Sequence, residues 1–184
     1  MKLVILDRDG VINEDSDAFV KNADEWIPIV GSIRAIARLS KAGFTVVVAT
    51  NQSGLGRGIF DLGDLEAMHD KMYDLVNKAG GEIDAVFYCP HHPDDHCNCR
   101  KPKAGLINAI EQELAVCAKD ASVVGDSLRD LQAGLLKGCK PILVKTGKGK
   151  RTLARIEAEN NPDFANLAVY NNLAEVADAL IESL

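Results

Sequence analysis

Four things are missing from this 184-residue chain, and each removes a class of function. No apolar run approaches the roughly 18 residues that a membrane-spanning helix needs. No N-terminal pattern of basic, apolar and small residues reads as a secretory leader, so the expected location is cytoplasmic. Basic residues are not in excess: Lys and Arg number 21 against 27 Asp and Glu, the net charge is −6 and the pI is about 5.2. That balance argues against a nucleic-acid partner held by a broad basic face. No repeat, linker or low-complexity stretch divides the sequence. With 47% apolar and 26% charged residues, residues 1–184 are expected to form a single domain around one core.

What the chain does have is concentrated at its start. Leu3-Val4-Ile5-Leu6 is a continuous apolar run, which reads as a strand covered on both faces, as in a parallel sheet. It ends in Asp7-Arg8-Asp9-Gly10, delivering two carboxylates to the sheet edge where ligands bind in open α/β folds. Residues two apart on an extended chain point the same way. Two such anions at ~4 Å repel by roughly 4 kcal/mol at an effective dielectric of about 20. Unless the pair simply faces water, it requires a cation or a shared proton, and a divalent metal is the simplest answer.

Strand and helix signals alternate from there. Residues 14–30, rich in acids and turn formers, read as a loop or small hairpin over the site, with Trp26 as a packing anchor. Ile33, Ile36, Ala37 and Leu39 take helical spacing over 32–42, with Ser32 as N-cap and Gly43 as the stop. Residues 44–49 form a second buried strand, ending in Thr50-Asn51-Gln52-Ser53-Gly54, and 55–60 a glycine-rich loop around Arg57. A helix opened by Asp61 or Gly63-Asp64 puts Leu65, Met68, Met72, Leu75 and Val76 on one face, leaving His69 beside the stripe as a surface residue. Residues 85–88 make a third strand, 103–118 a helix, 122–124 a fourth strand ending in Gly125-Asp126-Ser127, 128–137 a helix and 141–144 a fifth strand. A short helix, a weak strand at 167–170 and a last helix at 173–181 complete a doubly wound, mostly parallel, Rossmann-like α/β sheet.

Parallel strands bring their carboxyl ends to one edge, so Asp7, Asp9, Thr50, Asn51 and Asp126 are expected to meet there. Arg100-Lys101 lies just ahead of the helix that leads into the fourth strand. Taken singly, each has an ordinary explanation as a turn residue or a solvated charge. Together they supply what phosphoryl transfer needs, where positioning and charge neutralisation dominate. On these chemical grounds Asp7 attacks phosphorus in line and forms an aspartyl phosphate. Asp9 protonates the leaving alkoxide and then takes a proton from water. Thr50 and Lys101 bind the phosphoryl oxygens, and Mg²⁺ is held by Asp7, Asp126 and the Asp9 carbonyl. The basic clusters at 100–103 and 145–151 suit a small anionic ligand.

The strings Asp7-Arg8-Asp9-Gly10-Val11-Ile12-Asn13, Thr50-Asn51-Gln52-Ser53-Gly54, Arg100-Lys101-Pro102 and Gly125-Asp126-Ser127-Leu128-Arg129-Asp130 resemble the four motifs of haloacid dehalogenase superfamily phosphatases. Asn51 to Gly58, with the cysteine-rich loop that follows the third strand, is similar to the heptose-bisphosphate phosphatase branch of the histidinol-phosphatase-like subfamily. The likeness runs from about Lys2 to Lys150. It implies removal of the C7 phosphate of a heptose 1,7-bisphosphate, a small phosphorylated sugar used for lipopolysaccharide core or S-layer glycan precursors; a monomer without nucleic-acid or membrane partners is expected. Histidinol-phosphate phosphatase is the nearest rival activity and a nucleic-acid 3′-phosphatase a distant one. The resemblance puts Asp15, Ser16, Asn51, Gln52, Ser53, Arg57 and Arg100 at substrate-contacting positions and keeps Asp130 outside the metal's direct ligands. The sequence departs from the family where Asp15-Ser16-Asp17-Ala18-Phe19 replaces a Gly-Tyr-type loop. About forty residues separate Asp9 from Thr50, and one loop and one helix use them up. The enzyme is therefore expected to be capless, closed only by residues 14–30 and the cysteine loop.

That loop offers Cys89-x-His91 and Cys97-x-Cys99. Three thiolates and an imidazole match a closed tetrahedral Zn²⁺ site, structural because no position is left for water. His92 and His96 compete with His91 as the fourth ligand, and the resemblance favours His91. A fixed zinc knuckle would hold Arg100 and Lys101 against the phosphate. Cys117 and Cys139 are expected as core thiols, reduced in the cytosol. A phospho-accepting regulatory domain also combines an aspartate, Mg²⁺, a threonine and a lysine on such a sheet. Asp9, placed to activate water, favours turnover over storage. A zinc-centred interaction module is a third reading.

Overall fold

Val4 and Leu6 of the first strand face one core, and Leu3 and Ile5 face another. This is what an unbroken apolar run requires, because alternate residues of a strand point to opposite faces and both are covered. The computed structural model describes residues 2–184. Around β1 (Lys2–Leu6) lie β2 (Phe44–Asn51), β3 (Ala85–Cys89), β4 (Ser122–Gly125), β5 (Lys140–Val144) and β6 (Ala168–Tyr170). All pairs are parallel and the order is β3-β2-β1-β4-β5-β6. The chain first winds outward from β1 to β3 and then returns to pair β4 with the other side of β1. The gap between the carboxyl ends of β1 and β4 is thus the topological switch point, where this class of sheet opens to ligands.

The helices are α1 (Ser32–Lys41), a one-turn α2 (Ser53–Gly56), α3 (Leu62–Lys78), α4 (Gly105–Leu114), α5 (Leu128–Leu136), α6 (Gly149–Glu159) and α7 (Leu173–Glu182). Ile36 and Leu39 of α1, Leu65, Met68, Met72 and Val76 of α3 and Val176 of α7 share one core with β1. Ile107 and Ile110 of α4 and Ala133 of α5 pack on the opposite face, and Leu131 of α5 meets Ile156 of α6. No helix among the described residues is long and apolar enough to cross a membrane. Among those residues, 7–31 hold only isolated bridges and 90–104 a single 3₁₀ turn (Pro93–Asp95), with no inserted cap.

Four local expectations need correcting. Gly31, at φ 89°, takes the N-cap of α1 in place of Ser32, whose hydroxyl instead donates to the Ile12 carbonyl at 2.6 Å. That buried carbonyl needs a donor, and satisfying it outweighs a helix cap. The helix expected over 103–118 runs only from Gly105 to Leu114: Ala115 turns left-handed at φ 51°, and the Glu111 carboxylate accepts from the Ala118 N–H. Within the loop expected at 55–60, one helical turn reaches from Ser53 to Gly56, allowed by Gly54, where any side chain would strike the Phe60 ring. Cys117 is exposed, whereas Cys139 is buried, because the early end of α4 leaves residue 117 in a surface connection. Asp61 does cap α3, in a reciprocal box with Asp64. Trp26 is fully buried, and Lys71 of α3 donates to the Ala23 and Trp26 carbonyls at 2.6 and 2.7 Å, pinning the far end of the 14–30 loop.

Candidate active site

A cleft of about 260 Å³ opens at the switch point, lined by Asp7, Asp9, Thr50, Lys101 and Asp126 and by all seven residues expected to touch substrate, Asp15, Ser16, Asn51, Gln52, Ser53, Arg57 and Arg100. Thus twelve positions spread over more than a hundred residues come together. Asp17, Phe19, Val20, Ser127, Arg129, Asp130 and Lys148 complete the wall. The 14–30 loop therefore does cover the site. The cysteine loop reaches it only through Arg100 and Lys101.

Lys101 is the hub. Its ammonium lies 2.9 Å from Asp7 Oδ1, 2.6 Å from Asp130 Oδ1 and 2.8 Å from the Ala49 carbonyl, and it is 5% exposed. Burial alone would favour its neutral form, but the charges of Asp130 and Asp7 outweigh that and raise its pKa. Asn51 grips the backbone of the same residue from both sides, accepting from the Lys101 N–H at 3.0 Å and donating to its carbonyl at 3.1 Å. Asp130 is held in turn by the Ser127 N–H and hydroxyl at 3.1 and 2.8 Å, in the capping box of α5.

Asp7, Asp126 and Asp130 each turn a carboxylate oxygen toward one point, all within 4.8 Å of one another. Desolvation, and then the charge of Asp130, push the Asp7 carboxyl up to about 7. Desolvation followed by Asp7 and Asp130 pushes Asp126 up to about 8. Hard oxygen donors with surplus negative charge suit a divalent cation of the Mg²⁺ type, with Asp7 and Asp126 the two carboxylates open to it. Asp130 spends both oxygens on Lys101 and Ser127, and Asp126 Oδ2 accepts from the Lys148 N–H at 2.8 Å. Gly10, at φ 84°, lets the backbone turn under this group, and a side chain there would collide with Asp126 Oδ2. The Gly10 carbonyl accepts from the Thr146 hydroxyl at 2.7 Å, tying the first turn to the end of β5.

Asp9 has different neighbours. The guanidinium of Arg8 donates to it from Nε and Nη2 at 3.1 and 3.0 Å, Asn13 donates at 2.9 Å and Gln52 at 3.0 Å. Burial would raise its pKa, but the Arg8 charge and these hydrogen bonds prevail and hold it below the ordinary carboxylate range. Gln52 also donates to the Thr50 hydroxyl oxygen at 2.9 Å, which leaves the threonine's own proton free to point into the cleft. Gln52 and Asn51 line the cleft while their amides serve Asp9, Thr50 and Lys101. Asp15 meets the Lys148 ammonium at 3.3 Å, a bridge between the 14–30 loop and the turn after β5.

A cluster of guanidiniums completes the site. Burial and then the charge of Arg129, with a smaller push from Arg57, lower the pKa of Arg100, and Arg100 Nη1 is buried without a hydrogen-bond partner among the described residues. Arg57 lies over the Phe19 ring, 5.8 Å from its centroid. The three arginines form no ion pair among the described residues.

Sequence reasoning missed Arg129, Lys148 and His69. Lys148 belonged to a basic cluster already marked, and Arg129 stood one turn after Asp126, but neither position identified a contact. His69, expected on the surface, is buried at 8% exposure with Nε2 3.2 Å from Arg8 Nη1. The apolar stripe of α3 is wider than its aliphatic residues alone suggest.

Beside the cleft, Cys89, His91, Cys97 and Cys99 converge within 4.8 Å through their sulfurs and His91 Nδ1. The Sγ–Sγ separations are 3.1 to 3.6 Å, and His91 Nδ1 lies 3.5 and 3.2 Å from Cys89 and Cys99. A zinc tetrahedron with Zn–S bonds of about 2.3 Å has edges of roughly 3.7 Å, so the donor set fits. Burial would raise the Cys97 thiol, but hydrogen bonds led by the Arg100 N–H bring it down to about 7. Arg100 and Lys101, which line the cleft, follow Cys99 directly in the chain, and this adjacency joins the knuckle to the cleft.

Residues 98–176 match the HAD-hydrolase-like family model. The chain is 52% identical over 181 residues to a D-glycero-beta-D-manno-heptose-1,7-bisphosphate 7-phosphatase of Pseudomonas putida, covering 98% of this chain and 100% of that one. A Neisseria meningitidis protein of the same name is 58% identical over 155 residues, covering 84% and 83% of the two chains. The fold superposes with a TM-score of 0.94, at 52% identity and full coverage of both chains, on a crystal structure of D,D-heptose 1,7-bisphosphate phosphatase from B. bronchiseptica complexed with magnesium and phosphate. Identity at this level along nearly the whole length, with the switch-point cleft just described, means that the chain belongs to the heptose-bisphosphate phosphatase family of haloacid dehalogenase-like hydrolases.

Proposed function

We propose that this protein removes the C7 phosphate of D-glycero-D-manno-heptose 1,7-bisphosphate through an aspartyl phosphate, with Mg²⁺ at the carboxylate cluster and structural Zn²⁺ in the cysteine loop. The convergence of Asp7, Asp9, Thr50, Lys101 and Asp126 in one cleft carries the reading. The names of its relatives point to the sugar. The unpaired Arg57, Arg100 and Arg129 add support of their own, because three guanidiniums in an acidic protein suit a second phosphate on the same substrate.

In the first half-reaction an Asp7 oxygen attacks phosphorus, the bond from phosphorus to the C7 oxygen breaks, and Asp9 hands a proton to the departing alkoxide. In the second half Asp9 takes a proton from water, whose oxygen attacks the same phosphorus. The Asp7–phosphorus bond breaks and inorganic phosphate leaves. Arg8 keeps the resting Asp9 ionised, which suits the second half. The proton Asp9 takes from water in the second half is the one it gives to the alkoxide in the first half of the next turnover, so the cycle closes with no proton gained or lost. Lys101 and the free Thr50 hydroxyl neutralise charge on the phosphoryl oxygens. Mg²⁺ held by Asp7, Asp126 and the Asp9 carbonyl would relieve the repulsion between carboxylates and incoming phosphate and return Asp7 to its ionised form. Zn²⁺ on Cys89, His91, Cys97 and Cys99 would order residues 89–99 and so fix Arg100 and Lys101. The protein is expected to act as a cytoplasmic monomer.

The test is phosphate release with Mg²⁺ from heptose 1,7-bisphosphate, heptose 7-phosphate and histidinol phosphate, with the position of the lost phosphate located. Many turnovers at C7, with the highest kcat/KM for the bisphosphate, are expected. A higher kcat/KM for histidinol phosphate would overturn the sugar assignment, and release that stops near one equivalent would indicate a phospho-accepting domain.

A further inference from the structure

Arg8 is a buried cation with 0% exposure, and its hydrogen bonds divide into two sides. Nε and Nη2 face Asp9 at 3.1, 3.0 and 3.3 Å, and Nη2 also donates to Gln52 Oε1 at 3.2 Å. On the other side Nη1 lies 3.2 Å from His69 Nε2, contributed by α3 sixty-one residues later. A guanidinium has five N–H donors in one rigid plane and no acceptor. In this pair Nη1 therefore donates and His69 Nε2 receives, which fixes the ring as the neutral tautomer with its proton on Nδ1. The Tyr88 ring, 6.2 Å from the imidazole centroid and tilted by 54°, packs beside it.

Because the guanidinium is planar, an acceptor on Nη1 sets the plane in which Nε and Nη2 meet Asp9. Without it, a buried charged donor would be left unsatisfied, and the plane would rotate toward other acceptors. Gln52, which shares Nη2 and also touches Thr50, would move with it. We propose that His69 is a positioning residue for the reaction, orienting Arg8 so that Asp9 stays where the proton is exchanged. The inference rests on the acid/base role assigned to Asp9 and adds a component from α3.

The full-length protein, loaded with both metals, is assayed on heptose 1,7-bisphosphate, with Asp9→Asn as the reference. His69→Leu should lower kcat by at least about tenfold while KM moves less than about twofold, since misplacing a reacting group by ~1 Å costs up to ~10²-fold. His69→Gln, whose amide oxygen can receive the Nη1 hydrogen, should recover to within about threefold of the parent. A His69→Leu protein with kcat within about twofold of the parent, a loss confined to KM, or Gln no better than Leu would each overturn the proposal. Should His69→Leu fail to fold, Gln against the shorter Asn decides: recovery by Gln alone supports it, and equal rates overturn it. If Asp9→Asn turns over as fast as the parent, the underlying role has failed. If Asp9→Asn is slow and His69→Leu is fast, only this inference has failed.

Discussion

Asp7 and Asp9 leave the same strand two residues apart and enter opposite surroundings. Asp9 sits among donors, with one guanidinium and two amides around it. Asp7 sits among acids, sharing a single ammonium with Asp130 and facing Asp126. The first surplus is positive and holds a carboxylate ionised; the second is negative and drives Asp7 and Asp126 toward their neutral forms until a cation arrives. Chemically identical groups are thus separated by environment alone, and the roles proposed for Asp7 and Asp9 depend on that separation.

The largest effect expected from breaking this contrast is at Asp7. Asp7→Asn removes the attacking oxygen's charge and should lower kcat by at least ~10⁴-fold in steady-state phosphate release. Asp9→Asn leaves the nucleophile in place and should cost about 10²–10⁴-fold, with phosphorylated protein accumulating in intact-mass spectra. A greater loss at Asp9 than at Asp7 would reverse the assignment of roles. Next comes Lys101, which belongs to the Asp7 side and is tied to the cysteine loop through Asn51 and the Arg100 backbone. Cys99→Ser, or removal of zinc by a chelator, should lower kcat roughly tenfold and the melting temperature by roughly 4 °C. Unchanged values for both would disconnect loop from cleft.

The smallest effect sharpens the electrostatic side of the comparison. Asp7 and Asp126 are pushed up in the folded protein to about 7 and about 8, against an ordinary 3.8 for the free carboxyl. Their contribution to stability is therefore present at low pH and is lost as pH rises through those values. In metal-free protein the melting temperature should fall by a few degrees between about pH 5 and about pH 8, and Mg²⁺ should raise it more at the upper end. Asp126→Asn should flatten the metal-free slope. An equally steep slope in that variant would show that the carboxylate cluster is not its source.

Much of this could be read before any coordinates because buried parallel strands are continuous apolar runs, and their ends announce themselves by abrupt polarity. Leu3 to Asp9, Phe44 to Asn51 and Ser122 to Asp126 did so, and the sheet order then brought the ends together. What escaped depends on contacts between faces. His69 borders the stripe of Leu65, Met68, Met72 and Val76, and helical periodicity cannot tell a flanking imidazole in water from one seated on a buried arginine. Ser32 had the chemistry of a cap, yet a carbonyl twenty residues earlier claimed its hydroxyl. Asn51 and Gln52 stood at the right positions, but which partner an amide serves is set by neighbours from other strands. The basic cluster around Lys148 was visible, although its backbone bond to Asp126 was not.

Gly10 and Gly147 stand together beside the Asp126 carboxylate: an added carbon at either would collide with that carboxylate, one at Gly147 would also strike the Gly10 backbone, and one at Gly10 would crowd the Gly147 Cα at 3.2 Å. Mutational drift is closed at both places together: enlarging one cannot be offset by shrinking the other, which is already as small as a residue can be. Diversification of this enzyme is therefore channelled into the rim, where flap and arginines meet solvent, while the two bare backbones stay locked as a pair.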